Sequence, residues 1–338
     1  MKTKFGKWIA GAVAFCMVLV TVLAVPFGFL LPASAAGTDT YTTVSSGAVL
    51  ITSEDSGKNF LIQNGVFSVT VVGATNVTLL FEGVTMNRRY ADDTESGKQI
   101  EGLWAVSQKL GWNNKAQVCP LLITGNSEVK VAFRGANYFY AGVNGCTVNS
   151  SNSYKKSQDG GGYAGIQVDS GSTLTIEQSN GSVAAYGGHW VNASNSSNNP
   201  SDSTNFPTGN EWNGYGSPAG TTTNNLAGGA GIGGGVNGAA TSTSITVTGG
   251  TIEARGGRWA AGIGDGDSLP DRPTNQFSKS YSVNISGGTV TAVGGVGCAG
   301  VGCTDDVKNS GMTIRLSGGN ITSHSGYPDG FDPSTGTY

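Results

Sequence analysis

The chain repeats itself, and this repeat limits the fold more than any other feature of the sequence. Residues 244–257 read SITVTGGTIEARGG, and residues 282–295 read SVNISGGTVTAVGG. A third copy begins at Thr313, and a looser copy covers residues 173–188. A short AGIG or AGVG motif recurs between the copies, at residues 230–233, 261–264 and 299–302. Units of this kind are expected to stack on one another rather than to surround a single globular core.

Apolar and polar residues alternate within each copy, which is typical of a β-strand with one buried face. In the first copy the apolar positions are Ile245 and Val247, then Ile252 and Ala254. Each strand ends in a glycine pair, and glycine adopts the backbone conformations of a sharp corner without a Cβ penalty. Because a single coil of such strands cannot bury its apolar face alone, the coils must stack. The sequence therefore predicts an all-β parallel β-helix, with a right-handed winding.

Alignment of the copies predicts which interior residues stack as ladders. The three expected ladders are Ile245–Val283–Ile314, Ile252–Val290–Ile321 and Ile232–Ile263–Val301. The small residues Ala254 and Ala292 are expected where the interior narrows. The first half of the chain alternates less regularly, with larger apolar residues, so wider coils are expected there; its segments are 49–51, 67–71, 77–79 and 129–133.

Two polar stretches and the C-terminal segment break the pattern. Residues 87–118 and 190–226 are predicted to be loops inserted into one β-helix domain that covers residues 36–338, and residues 327–338 are predicted to be an irregular tail. Loops on a rigid scaffold often carry binding residues.

The first 35 residues have the pattern of a secretory signal peptide. A basic start with three lysines precedes an apolar run to Leu31, and an Ala-Ser-Ala site ends at Ala35. Since the run is long enough to span a bilayer, an uncleaved anchor is the alternative. Cleavage would start the mature chain near Ala36, with no later membrane span, and the protein is then expected to be secreted or displayed at the cell surface.

Composition excludes several classes of function. Charged residues make up only 12% of the chain, too few for a coiled coil or a charge-rich disordered protein. Without the leader the chain has 16 basic and 22 acidic side chains, a net charge of about −6, so no nucleic-acid partner is expected. Only two histidines, His189 and His324, are present, which excludes a three-histidine metal site.

Four cysteines remain after the leader, and export would permit disulfides. Four cysteines allow three pairings. Pairing of nearest neighbours gives Cys119–Cys146 and Cys298–Cys303. The second bridge requires a bend, because residues five apart on a straight strand are about 16 Å apart. Buried thiols are the alternative.

The repeat units also resemble a known group of proteins. AGIGGG, SITVTGGTIEARGG, AGIGDGD and SVNISGGTVTAVGG resemble glycine-rich repeats of bacterial secreted and cell-surface proteins, and residues 164–176 are similar to the unit that precedes those repeats. The likeness covers about residues 120–325. It implies a pectate-lyase-like β-helix at the cell surface, in proteins that have no assigned activity or are described as carbohydrate-binding. Since one fold serves many functions, it indicates architecture more specifically than function.

Aromatic residues near the glycine pairs are the candidate ligand-binding residues. Trp190 and Trp259 occupy equivalent positions, because residues 186–190 align with residues 255–259. Trp212 and Tyr215 lie in the second predicted loop. Aromatic rings bind the apolar C–H surface of sugars, so these four residues predict a carbohydrate site. The alternative is that both tryptophans cover a corner of the coil.

Acidic residues supply a candidate calcium loop and two candidate catalytic pairs. Asp265, Asp267 and Asp271 lie in one Gly-rich stretch and could supply oxygen ligands to Ca²⁺, although Asp and Gly also simply favour turns. No other cofactor is expected. The paired residues Asp305–Asp306 and Asp92–Asp93 are the only acid–base candidates, and neither pair lies in a predicted strand.

The favoured hypothesis is a non-catalytic surface β-helix that binds extracellular polysaccharide or a host or cell-surface glycan, or acts as an adhesin. The first alternative is a divergent polysaccharide lyase or glycoside hydrolase that uses one of the aspartate pairs. The second is a structural stalk that binds no glycan.

Overall fold

The computed structural model describes residues 40–88, 119–148, 154–169, 171–188, 228–235, 243–257, 259–266, 281–295, 297–303 and 312–326. The chain separates into two compact units, Met1–Thr40 and Tyr41–Tyr338, and all described strands belong to the second. The predicted leader, the tail 327–338 and nearly all of the two predicted loops lie outside the described residues. Within these described ranges, no helix is long and apolar enough to cross a membrane.

Three parallel sheets form the second unit, with strands numbered in chain order. Sheet A has eight strands: β1 (Tyr41–Val44), β3 (Asn59–Gln63), β5 (Val77–Glu82), β8 (Glu128–Arg134), β13 (Thr173–Ile176), β16 (Thr243–Val247), β19 (Tyr281–Ile285) and β22 (Thr313–Leu316). Sheet B has seven: β2 (Gly47–Thr52), β4 (Val66–Val72), β7 (Leu121–Thr124), β12 (Ile166–Val168), β15 (Ile232–Gly233), β18 (Ile263–Gly264) and β21 (Val301–Gly302). Sheet C has six: β6 (Thr85–Asn87), β9 (Ala136–Tyr140), β14 (Ser182–Tyr186), β17 (Thr251–Arg255), β20 (Thr289–Val293) and β23 (Asn320–His324).

The order of the strands makes the fold a parallel β-helix. From β4 onwards the chain passes through sheet B, sheet A and sheet C in turn, and each new coil pairs in parallel with the one before it. A short 3₁₀ turn, Ser53–Asp55, is the one helical element among the described residues. The predicted fold class is confirmed.

The predicted ladders are confirmed residue by residue. The register places Ile245, Val283 and Ile314 opposite one another in sheet A. The members of the other two ladders are opposite one another in sheets C and B, as are Ala254 and Ala292. In the last coil, Ile314 is 43% exposed and Leu316 is 53% exposed, whereas Val283 is fully buried. Stacking thus buries the interior side chains of each coil, except in the last described coil, which no described coil covers.

The first half of the β-helix has the larger interior side chains that its sequence predicts. Phe81, Phe133 and Phe139 are buried and in mutual contact, with ring centroids 5.0 to 6.2 Å apart. They come from β5, β8 and β9, so one aromatic cluster joins sheets A and C. These packed rings replace the smaller Ile, Val and Ala ladders of the later coils.

Each of the two glycines in the SGG and TGG corners between sheets A and C is required for a different reason. The second glycine has a positive φ, near 85° in Gly250, Gly288 and Gly319. The first has no room for a side chain: a Cβ added to Gly287 would lie 2.2 Å from the carbonyl oxygen of Thr248 in the preceding coil. The glycine pair therefore allows both a sharp turn and close stacking of coils.

Long connections leave the β-helix from the carboxyl ends of neighbouring strands in sheet C. Residues 88–120 follow β6, residues 141–165 follow β9 and residues 187–231 follow β14. The middle one contains an antiparallel hairpin, β10 (Val143–Val148) with β11 (Tyr154–Gly162), which the sequence analysis did not predict. Three successive coils thus present their connections at the same corner, between sheets C and B.

Candidate functional site

A row of tyrosines lies on the outer side of sheet C, beside the long connections. Alternation along β9 turns Tyr138 and Tyr140 away from the core, because Phe139 between them is fully buried. The register places Tyr140 opposite Tyr186, the last residue of β14. We call Tyr138, Tyr140 and Tyr186 the tyrosine face.

The three rings of the tyrosine face are nearly parallel. The planes of Tyr138 and Tyr140 differ by 4°, with centroids 6.3 Å apart. The planes of Tyr140 and Tyr186 differ by 14°, with centroids 4.9 Å apart. Tyr138 is 40% exposed and Tyr140 and Tyr186 are half-buried. The row therefore offers apolar ring surface together with phenol hydroxyls.

A charged pair continues this face onto the next strand. In the register, Arg255 of β17 is opposite Tyr186, and Glu253 is opposite Ala184. The Arg255 Nε atom lies 2.5 Å from Glu253 Oε1, and the Tyr186 hydroxyl donates a hydrogen bond to the same oxygen at 3.4 Å. Since Glu253 accepts from both neighbours, it fixes the orientation of Tyr186.

The environment of Tyr186 is expected to make the protein less stable at alkaline pH. Burial, and then the negative charge of Glu253, raise the pKa of Tyr186 well above its usual value. Because the folded protein holds this proton more tightly than the unfolded chain does, the raised pKa stabilises the fold. This contribution is complete below the pKa of tyrosine in the unfolded chain, about 10, and is lost as the pH rises towards the pKa of the folded state. We expect the free energy of unfolding, measured with urea, to fall above about pH 10. Tyr186→Phe should make this fall less steep, and an equal fall in both proteins would contradict the assignment.

The structure describes one of the four aromatic residues predicted from the sequence. Trp259 is half-buried and has a φ of 55°, in the short connection between β17 and β18. The predicted alignment of the two glycine pairs holds, because Tyr186 is opposite Arg255 and a Cβ added to Gly257 would lie 2.4 Å from the Gly188 carbonyl oxygen. Trp190, Trp212 and Tyr215 lie outside the described residues.

The acidic candidates are only partly described. Asp265 is buried, immediately after β18, rather than exposed on a turn. Asp267, Asp271 and the two aspartate pairs lie outside the described residues. In the described ranges, no group of three His, Cys, Asp or Glu side chains is placed to hold a metal ion.

The predicted pairings Cys119–Cys146 and Cys298–Cys303 stay predictions, and the Cys146 side chain lies outside the described residues. Cys298 is buried and Cys303 is half-buried. The Cys119 thiol is buried and donates a hydrogen bond to Gln167 Oε1 at 3.2 Å. Buried thiols stay the alternative to these disulfides.

The tyrosine face was not predicted from the sequence. The alternation of Tyr138 and Tyr140 with Phe139 in the segment ANYFY is the sequence pattern that indicates two outward-facing tyrosines on one strand. Their proximity to Tyr186 depends on the pairing of β9 with β14, across an intervening connection.

Comparison with known proteins supports the architecture. A family model described as "Beta helix repeat" matches residues 245–267 and 283–305. Each match contains most of one strand of sheet A and all of one strand of sheet C and one of sheet B, which together make one coil of the fold. No curated protein and no solved structure matches the chain. The resemblance to glycine-rich surface repeats and to pectate-lyase-like proteins stays a prediction.

Proposed function

We propose that this protein is a secreted or cell-surface β-helix that binds extracellular carbohydrate, as an adhesin does, without catalysing a reaction on it. The observation that carries the proposal is the tyrosine face. Three nearly parallel rings lie next to the Glu253–Arg255 pair, at the edge of sheet C from which the long connections leave.

The chemistry of the face suits a sugar. A pyranose ring has an apolar C–H surface and a rim of hydroxyls, and tyrosine combines an apolar ring with a polar hydroxyl. Because the tyrosine row crosses two strands on the outside of a sheet, it suits an extended polysaccharide better than a small enclosed ligand. Trp259 and the loop residues Trp190, Trp212 and Tyr215 are proposed to extend the same surface from the neighbouring corner.

The charged pair suits a role in positioning rather than in catalysis. One Glu253 oxygen accepts from both Arg255 and Tyr186. Arg255 is therefore engaged by the carboxylate beside it and is not placed as an independent base. The pair holds Tyr186 against Tyr140, which supports a fixed, flat binding surface.

Co-sedimentation with insoluble polysaccharides tests the proposal. The protein should be found in the pellet with at least one polysaccharide, and the supernatant should contain no released sugar. Tyr138→Ala and Tyr140→Ala should each weaken binding by about 1 kcal/mol, the usual size of an aromatic contact, which is about five- to tenfold in Kd. Thr322→Ala is the matched control, because Thr322 is exposed on the same sheet at its far end.

Each other outcome contradicts part of the proposal. Released sugar would show catalysis and direct attention to the aspartate pairs. Absence from every pellet would favour a stalk or a protein-directed adhesin. Binding that resists both tyrosine variants but is lost in a Trp190→Ala, Trp259→Ala double variant would move the site from the tyrosine face to the corner.

A further inference from the structure

A buried polar cluster lies at a different corner, where the chain passes from sheet B to sheet A. Asp169 follows β12 and Asp265 follows β18, while Thr243 and Tyr281 begin β16 and β19. All four side chains are at most 4% exposed. Hydroxyls and carboxylates of four different segments thus lie within the interior of successive coils.

A glycine pair lies in the coil between the two aspartates. The strands β12 and β18 flank β15, so the two carboxylates lie on either side of the coil that continues with Gly234 and Gly235. A Cβ added to Gly234 would lie 2.6 Å from the Tyr281 hydroxyl oxygen and 2.9 Å from Asp265 Oδ1. These two oxygens therefore converge on the same point, over a residue that has no side chain.

Asp169 joins the cluster from the other side of the glycine pair. Gln167 donates from Nε2 to Asp169 Oδ2 at 3.1 Å. A Cβ added to Gly235 would lie 2.5 Å from the Oε1 atom of the same Gln167 side chain. Asp169 is thus linked to the glycine pair through the Gln167 side chain, while Asp265 contacts the pair directly.

Two hydroxyls in this corner have no hydrogen-bond partner within the described part of the chain. They are the Tyr281 hydroxyl and the Thr243 hydroxyl, and the register places these residues opposite each other. A buried hydroxyl without a partner costs about 1 to 3 kcal/mol, so a ligand that accepts or coordinates such a hydroxyl would be favoured. Burial, and then the charges of Asp265 and Asp169, raise the pKa of Tyr281 well above its usual value.

We propose that this corner binds a calcium ion, with Asp169 and Asp265 as charged ligands and the hydroxyls of Tyr281 and Thr243 as neutral ligands. Ca²⁺ prefers hard oxygen ligands of this kind, and its charge would offset the cost of burying the carboxylates. The ion would join three successive coils, because its ligands belong to the coils that contain β12, β15 and β18. This site shares Asp265 with the loop predicted from the sequence but does not use Asp267 or Asp271.

Thermal unfolding tests the site through stability. Saturating calcium should raise the Tm of the protein by roughly 5 °C or more over a chelator-treated sample, as expected for a ligand that binds only the folded state. Asp265→Asn and Asp169→Asn should abolish this shift. Asp267→Asn and Asp271→Asn are the matched controls and should keep it.

Terbium luminescence tests the position of the ion directly. Tb³⁺ substitutes for Ca²⁺ and emits when an aromatic ring in contact with it is excited, so Tyr281 should sensitise its emission. Tyr281→Phe should remove most of this signal, Tyr138→Phe should leave it unchanged, and added calcium should compete it away. This measurement serves even if the aspartate variants fail to fold.

Three results would overturn the proposal. The first is a Tm that does not respond to calcium. The second is a response that is lost in Asp267→Asn or Asp271→Asn, which would place the ion in the loop. The third is a Tm decrease in Tyr281→Phe that is equal with calcium and with chelator, which would make the hydroxyl a structural donor only.

Discussion

Replacement of Gly264 by alanine should destabilise the β-helix by at least about 4 kcal/mol, beyond the range of most single substitutions. Gly264 has a φ of 137°, which an L side chain rarely adopts, and an added Cβ would lie 1.9 Å from the Gly302 carbonyl oxygen. That oxygen accepts a hydrogen bond from the Asp265 amide at 3.1 Å, so it cannot move without disturbing the ladder between β18 and β21. The free energy of unfolding in urea measures the loss.

Gly83→Ala separates the two causes of this loss. Gly83 also has a positive φ, 60°, but an added Cβ would have no atom within 4 Å. The cost there should be about 1 to 2 kcal/mol, the usual penalty for a left-handed conformation. Equal losses in both variants would show that close approach of the coils is not what requires glycine at residue 264.

Phe81→Ala should cost about 3 to 5 kcal/mol, the range for removal of a large buried aromatic side chain. Phe81 is fully buried and contacts Phe133 and Phe139, with centroids 6.0 and 5.0 Å away. The cavity would open between sheets A and C, where rigid strands on both sides limit its collapse. In urea unfolding, this loss of stability should appear as a lower midpoint concentration of urea, with an unchanged dependence of the free energy of unfolding on urea concentration.

Tyr138→Ala is the matched control for this cavity. Tyr138 comes from the same sheet as Phe139 but is 40% exposed. Its removal should change the free energy of unfolding by less than about 1 kcal/mol, since surface substitutions rarely cost more. A loss from Phe81→Ala of similar size would mean that the aromatic cluster is not a main source of stability.

The ladders could be predicted from the sequence because each copy of the repeat contains its own strand and corner signals. Ile245 and Val283 share a position within their copies, and parallel stacking of equivalent coils leaves only one register for them. The glycine pairs likewise indicate corners directly. Both signals are local, so an alignment of the copies was sufficient.

The candidate site could be predicted only in part, because its residues meet through pairings that local patterns do not specify. Tyr140 and Tyr186 come from coils separated by the unpredicted hairpin β10–β11. Asp265 has the sequence context of an exposed turn, yet the glycines of the neighbouring coil leave room for its side chain inside. Asp265 is buried because the adjacent coil has glycines, without side chains, at the facing positions. The pattern within one copy of the repeat does not show this.

The corner between sheets C and B also affects how such a protein can evolve. Its connections range from residues 256–262 to the much longer 187–231, yet the strands on either side keep their parallel pairing. Because the ladders do not depend on the length of these connections, insertions and exchanges there should be nearly neutral for folding. The coil can thus stay constant while the loops diversify, so proteins that share these ladders can come to recognise different ligands.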